Sequence, residues 1–305
     1  MNPKFFGALA LALASSVATA AHAQTPFEVF TREAARTPVT VLEARGNVRM
    51  LEGAGGNIAV LTGRDGVFMV DAGIAASEAK IRSALRTLGA GELRYVVTTH
   101  WHWDHAEGNG WLRRSGATVI SSSGVARRLG ETIRVEDWGH TFDPVPTADR
   151  PDLVLPGSRT MRFNGERILI RPYQGGHTDG DLSVYFANAD VLVTGDTFWA
   201  GMYPLVDYVA GGSIDGAIRA ANRNIEMAGP NTRVIPGHGP VASRADLIAF
   251  RDMLVSVRNR VASLKSAGKS LEETIAARPT SEHDARWGAG IVTGEWLTAL
   301  VYRGV

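Results

Sequence analysis

The sequence predicts an α/β fold whose sheet is at least partly parallel or mixed, and two observations carry that expectation. Between residues 93 and 129, short apolar runs alternate with amphipathic helical segments, a β-α-β-α order that sets neighbouring strands parallel. The densest polar cluster of the chain, His100-Trp101-His102-Trp103-Asp104-His105, falls on a strand-to-helix turn within that alternation, where α/β folds place their chemistry.

In chain order, the first segment holds Lys4, an apolar run from 5 to 14, and small residues ending in Ala21-His22-Ala23. This is the pattern of a secretory signal cleaved after Ala23, and its apolar core is too short for a span of about 20 residues. The expectation is a soluble exported protein, periplasmic or secreted, without a membrane anchor. Residues 1–23 are then the signal and 24–305 one domain with a helical C-terminal segment from about 243. The chain has no cysteine, which excludes disulfides, thiolate ligands and a cysteine nucleophile. Lysine and arginine total 32 against 31 acidic residues, and removal of Lys4 balances them, so no electrostatic case exists for nucleic acid or an anionic membrane as partner.

Residues 39–70 read as strands and glycine turns, with apolar runs at 39–42, 48–51, 58–62 and 67–70, the last two joined through Arg64-Asp65 as a hairpin. A helix amphipathic through Ile81, Leu85 and Leu88 spans 77–88. Asp71 precedes it and reads either as a cap or turn residue or as a support that holds the next loop by hydrogen bonds. Then come a buried strand at 93–99, a helix at 106–114, a strand at 117–121 and a helix at 124–129. Residues 131–156 read as a long loop, and His140 within it has no ligand spacing around it. Strands return at 160–163, 167–173, 182–186 and 191–194; a helix at 214–228, a strand at 233–235 and helices at 244–267 and 271–278 follow, before a last apolar stretch at 296–301.

In an extended segment side chains alternate, so His100, His102 and Asp104 are expected on one side with Trp101 and Trp103 turned into packing, and His105 joins them where the helix bends the chain. Neutral imidazole and carboxylate suit Zn²⁺ and, to a lesser degree, Fe or Mn. Of eight histidines, His22 lies in the signal and His140 and His283 stand apart. The other five sit at three strand-end turns, the second being Gly175-Gly176-His177 and the third Pro236-Gly237-His238-Gly239-Pro240. Asp196 likewise follows directly on an apolar strand. Five histidines and two aspartates so placed are the parts of a two-metal site.

This order of residues resembles the metallo-β-lactamase superfamily, whose signature is H-x-H-x-D-H followed by a single His, a single Asp and a final His. The resemblance runs from about residue 39 to 253. It implies that His100, His102 and His177 hold one metal, that Asp104, His105 and His238 hold the other, and that Asp196 bridges them. It implies too a four-layer αβ/βα sandwich of two mixed β-sheets with helices outside, and places Asp71 where the family keeps a supporting aspartate. Two zinc ions per chain are the expected cofactor.

Two metals about 3.5–4 Å apart share a hydroxide that attacks a substrate carbonyl at neutral pH, and one of them polarises that carbonyl. Asp104 is the residue expected to take or return the proton. Export makes a β-lactam or lactone credible as the small-molecule substrate. Zinc β-lactamases, however, place Cys or Ser near the position of Asp196, and some carry a drug-binding lysine three residues on, where this chain has Trp199. An aspartate there is more like the thioesterases and lactonases. The rival readings are a glyoxalase-II-like thioesterase, a one-iron sulfur dioxygenase, and a metal carrier without catalysis.

Overall fold

The computed structural model describes residues 25–53 and 55–305; the expected signal segment lies outside them. Its strands are β1 (Thr40–Arg45), β2 (Val48–Glu52), β3 (Ile58–Gly63), β4 (Gly66–Val70), β5 (Leu93–Val97), β6 (Thr118–Ser122), β7 (Ile133–Val135), β8 (His140–Phe142), β9 (Leu153–Leu155), β10 (Arg159–Phe163), β11 (Glu166–Pro172), β12 (Leu182–Phe186), β13 (Val191–Val193), β14 (Arg233–Ile235) and β15 (Ala242–Ser243). The helices are α1 (Pro26–Arg36), α2 (Glu78–Thr87), α3 (Trp103–Ala106), α4 (Asn109–Arg114), α5 (Ser123–Arg128), α6 (Ile214–Met227), α7 (Arg244–Ser266), α8 (Leu271–Ala276), α9 (Asp284–Trp287) and α10 (Gly294–Gly304).

Both large sheets are mixed. The first runs β1-β2-β3-β4-β5-β6-β9, antiparallel as far as β4 and parallel from there on. The second runs β10-β11-β12-β13-β14-β15 and is parallel only between β13 and β14. Their sequences explain why they stack. β4 is buried at every position, so it needs cover on both faces. Phe68 and Val70 turn inward with Met50 and Leu61, against Ile168, Ile170, Val184 and Val193 of the second sheet. Val67 and Met69 turn outward with Val60 and Val96, onto Ile81 and Leu85 of α2 and Leu112 of α4. On the outer side of the second sheet, Leu192 and Val234 pack with Ala221 of α6, Phe250 and Leu254 of α7 and Val301 of α10. Helices, sheet, sheet, helices is the four-layer sandwich expected from the resemblance.

Three local expectations are corrected. The helix expected over 106–114 is two pieces, because a side chain at Gly108 would strike the Ala72 carbonyl oxygen at 2.2 Å, so the chain is pinned there. The long loop expected over 131–156 carries the β7/β8 hairpin, whose Ile133 and Val135 are buried, and the edge strand β9. His140 is therefore a strand residue, stacked on Phe27 with ring centroids 3.6 Å apart. Finally, α1 carried no sequence expectation. It starts at a capping box in which Thr25 Oγ1 accepts from the Glu28 amide and the Glu28 carboxylate from the Thr25 amide, with Pro26 preset for the first turn.

Candidate metal centre

The seven singled-out residues meet at one end of the sandwich, beyond the C-terminal ends of the parallel strands. β5 delivers His100, His102, Asp104 and His105, the turn after β11 delivers His177, β13 delivers Asp196, and β14 delivers His238. The turn after β5 is not extended throughout, as alternation predicted. The chain leaves β5 at Val97 and is helical from Trp103, so Asp104 and His105 are presented by adjacent positions of a helical turn. Trp101 is buried in the core as expected, whereas Trp103 is half-buried and lines the cavity over the site.

Hydrogen bonds fix the imidazole tautomers. The Thr99 hydroxyl donates its one proton to Asp71 Oδ2, 2.8 Å away. It therefore accepts from His100 Nδ1 at 3.0 Å, which leaves the His100 Nε2 lone pair free. His105 Nδ1 donates to Asp71 Oδ2 at 2.8 Å, and His177 Nδ1 to the Leu205 carbonyl at 2.9 Å, so both offer Nε2. His102 is reversed: its Nε2 donates to Asp207 Oδ2 at 3.0 Å and Nδ1 is left free. Each ring thus turns its other nitrogen inward, held by an outer partner of the kind that orients metal-binding histidines.

The inward nitrogens of His100, His102 and His177 meet no protein donor, whereas His105 Nε2 faces Asp196 Oδ1 and His238 Nε2. His102 Nδ1 and His177 Nε2 face each other at 2.9 Å, and His100 Nε2 and Asp196 Oδ1 are buried without a hydrogen-bond partner. Two donor groups adjoin, His100, His102, His177 and Asp196 on one side and Asp104, His105 and His238 on the other, with the atoms of each within 4.8 Å of one another. Asp196 Oδ2 lies 3.6 Å from His100 Nε2, 3.5 Å from His177 Nε2 and 3.5 Å from His238 Nε2, while Oδ1 lies 3.1 Å from His105 Nε2. Donors about 2.0–2.2 Å from a tetrahedral ion sit about 3.3–3.6 Å apart, so the spacing and the donor chemistry fit a divalent cation in each group. Gly237 makes room for this, since a side chain there would lie 1.9 Å from Asp196 Oδ1.

The electrostatics agree. Burial, reinforced by His105, holds His100 well below its ordinary value, so its ring is neutral. Burial also pulls His105 and His238 down, but Asp196 and Asp104 outweigh it. They raise His105 well above its ordinary range and carry His238 to about 9. Burial opposes ionisation of Asp196, yet His238, His105 and His100 hold its carboxyl well below the usual carboxylate range. Without metal, protons on the second group balance the carboxylates that a cation would otherwise neutralise.

Of the two readings left open for Asp71, the hydrogen bonds support the second, for it accepts from the Thr99 amide at 2.7 Å as well as from Thr99 Oγ1 and His105. It does so from φ +68°, a backbone region a residue with a side chain seldom occupies. Asp207 is a functional candidate that the sequence did not disclose. It lies in an irregular segment after Tyr203-Pro204 and meets His102 only through the fold.

Comparison with known proteins follows the same lines. The sequence profile of the metallo-beta-lactamase superfamily matches residues 51–238. A hydroxyacylglutathione hydrolase of Rhodospirillum rubrum is 30% identical over 149 residues, 48% of each chain. The human acyl-coenzyme A thioesterase MBLAC2 is 26% identical over 176 residues, 53% of this chain and 59% of that one. The chain thus spans about half the length of the curated relatives it matches. Among solved structures, a metallo-beta-lactamase from Pontibacter korlensis superposes with TM-score 0.58 at 19% identity, covering 71% of this chain and 99% of that one. A sec-alkylsulfatase from Pseudomonas sp. superposes with TM-score 0.65 at 15% identity, covering 93% and 53%. At such identities the structures establish the fold alone. The profile covers more than half of the residues, and the chain belongs to the metallo-β-lactamase superfamily.

Proposed function

We propose that this chain is an exported two-zinc hydrolase that cleaves the acyl bond of a small-molecule thioester, ester or lactone. The observation that carries the reading is the pair of donor groups joined at Asp196, with four imidazoles held by outer partners so that one nitrogen of each faces inward. His100, His102 and His177 would hold one cation, Asp104, His105 and His238 the other, and Asp196 both. When bound, such a pair lowers the proton affinity of water and polarises a carbonyl, which supplies a nucleophile and an electrophile at neutral pH.

The chain's own residues account for the rest. Asp104 lines the cavity, with Oδ2 3.3 Å from His238 Nε2, and is the carboxylate placed to accept the proton of the attacking water and return it to the leaving group. Asp71 and Asp207 keep His105 and His102 from rotating. A thioester, ester or lactone is preferred to a β-lactam because Asp196 stands where the zinc lactamases have Cys or Ser, and because the cavity carries Trp199 in place of a drug-binding lysine. The names of the curated relatives, a hydroxyacylglutathione hydrolase and an acyl-coenzyme A thioesterase, point the same way.

The test is metal analysis with a hydrolysis screen of the zinc-loaded protein against thioesters, lactones, oxyesters and β-lactams. We expect two zinc per chain and turnover of at least one acyl class. One iron per chain with oxygen uptake would replace the reading by sulfur oxidation, and bound metal with no turnover would replace it by a carrier.

Metal loading should depend on pH. His238, raised to about 9, is protonated at pH 7 in the metal-free protein and must lose that proton to ligate. His105, raised well above its ordinary range, must lose a proton as well, so apparent affinity for the second cation should rise with pH by more than about tenfold per unit while both rings are charged and by about tenfold once only one is. Calorimetry in buffers of different ionisation heat should register at least one proton released per chain at pH 7; none would contradict the assignment of His238.

Export rests on Lys4, the apolar run and Ala21-His22-Ala23. Intact mass of the exported protein should correspond to a chain starting near Gln24. Retention of Met1 in a cytoplasmic pool would refute it.

A further inference from the structure

The cavity over the donor groups is small, about 40 Å³, and α1 and α10 build part of its wall. Phe27 and Phe30 come from α1, Trp296 from α10, and Trp103, Trp199 and Val292 from the loops and short helix around the donors. Among the described residues its lining includes no lysine or arginine, and its charged side chains outside the histidines are Asp104 and Asp196, both committed to the donor groups. A substrate carboxylate, sulfate or phosphate held in this cavity would lose its water with no cation from the wall to replace it, a transfer that costs several kcal/mol. An alkyl chain, by contrast, gains from burial along such a wall.

The wall also has an end. Phe27 and Trp103, with ring centroids 4.9 Å apart, line this cavity and also a second, larger one of about 550 Å³. Trp101, Trp111 and Phe142 are among the lining of the larger space. The Phe27–Trp103 pair is therefore a partition between the space that holds the donor groups and a second space, whose wall mixes those aromatic rings with charged side chains such as Arg114, Arg128 and Glu107. Phe27 is stacked on His140 and meets Phe142 edge-on at 5.4 Å, and the Trp103 indole donates to Thr31 Oγ1 of α1 at 3.1 Å. Both halves of the partition are thus fixed in place.

We infer that the substrate's acyl group is uncharged and apolar, and that Phe27 with Trp103 sets the longest chain the site accepts. This rests on the acyl hydrolase reading above and adds to it which acyl groups are taken. Burial of a methylene is worth about 0.8 kcal/mol, which is about a fourfold change in kcat/KM. The zinc-loaded protein should therefore turn over straight-chain thioesters with kcat/KM rising up to about fourfold per added methylene, until a break where the chain reaches the partition. A terminal carboxylate on the same chain should lower kcat/KM by a hundredfold or more. In Phe27→Ala the partition opens toward the second cavity, so the break moves to longer chains and the ratio of long-chain to short-chain kcat/KM rises at least tenfold. Phe27→Leu should move it in the same direction by less, and serves where the alanine variant is poorly folded.

Binding is read separately from turnover, by quenching of tryptophan fluorescence with straight-chain N-methylamides, which have no scissile ester. Chain-length-dependent binding of these amides without hydrolysis of any ester would overturn the proposed function and leave this inference standing. Hydrolysis that ignores chain length, or that favours the carboxylate-tipped chains, would overturn the inference and leave the hydrolase. An unmoved break in both Phe27 variants would remove the partition from its role.

Discussion

Replacing Asp196 with serine is expected to empty the Asp104, His105 and His238 group while the His100, His102 and His177 group keeps its cation. Three imidazoles are a sufficient zinc set by themselves. A second cation, however, binds against the repulsion of the first at a few ångströms, and the carboxylate between them offsets that repulsion. Asp196 is placed for this, with Oδ1 against His105 and Oδ2 facing His100, His177 and His238. A serine hydroxyl has one oxygen and no charge. Loss of a partner that only orients a ligand lowers metal affinity about 10–100-fold, so loss of this shared ligand should exceed about 100-fold for the second cation and stay well below that for the first. Turnover should fall most for substrates with poor leaving groups, whose departing charge needs the second cation. Zinc stoichiometry after dialysis against graded chelator, with rates for a leaving-group series, decides it. Equal loss of both metals, or equal slowing across the series, would give Asp196 another role.

The candidate donor set was legible because its members lie on the turns that follow strands. A short apolar run followed at once by His or Asp marks the C-terminal end of a strand, and the parallel pairs β4/β5 and β13/β14 bring those ends together. The run at 67–70 was legible as a strand, but its burial on both faces was not read from it, and the four layers were expected from the resemblance alone. The shape of the histidine turn was not legible either. Extended alternation places Asp104 correctly for the wrong reason, since the chain is already helical there and Trp103 therefore reaches the cavity while packing only partly against the core. The signal for α1, Thr25-Pro26 followed by Glu28, was present but local, and nothing near it in sequence said that Phe27 and Phe30 would lie across the site. Asp207 had no local signal at all. An aspartate in an irregular segment is ordinary until the fold sets it beside a histidine 105 positions away.

That distant contact leads to the sharpest separation between holding a metal and orienting a ligand. His102→Ala deletes one of the three imidazoles of the first group and should remove nearly all activity together with metal from that group. Asp207→Ala deletes no ligand. It removes the acceptor of His102 Nε2, which is buried, and with it the bond that keeps the proton on Nε2 and the lone pair on Nδ1. The ring is then free to carry its proton on Nδ1, where it blocks ligation. First-group affinity should fall about 10–100-fold, the cost of losing an orienting partner, with activity restored by excess zinc. His102→Ala should not be restored, because no added metal supplies a missing nitrogen. Asp207 also accepts from the Ala210 amide at 2.9 Å, so Asp207→Asn, whose amide oxygen accepts one such bond, should fall between the parent and the alanine variant. Zinc titrations of the three variants, each read by activity and by bound metal, distinguish the roles. Rescue of His102→Ala by zinc, or failure to rescue Asp207→Ala, would reverse the assignment of ligand and support.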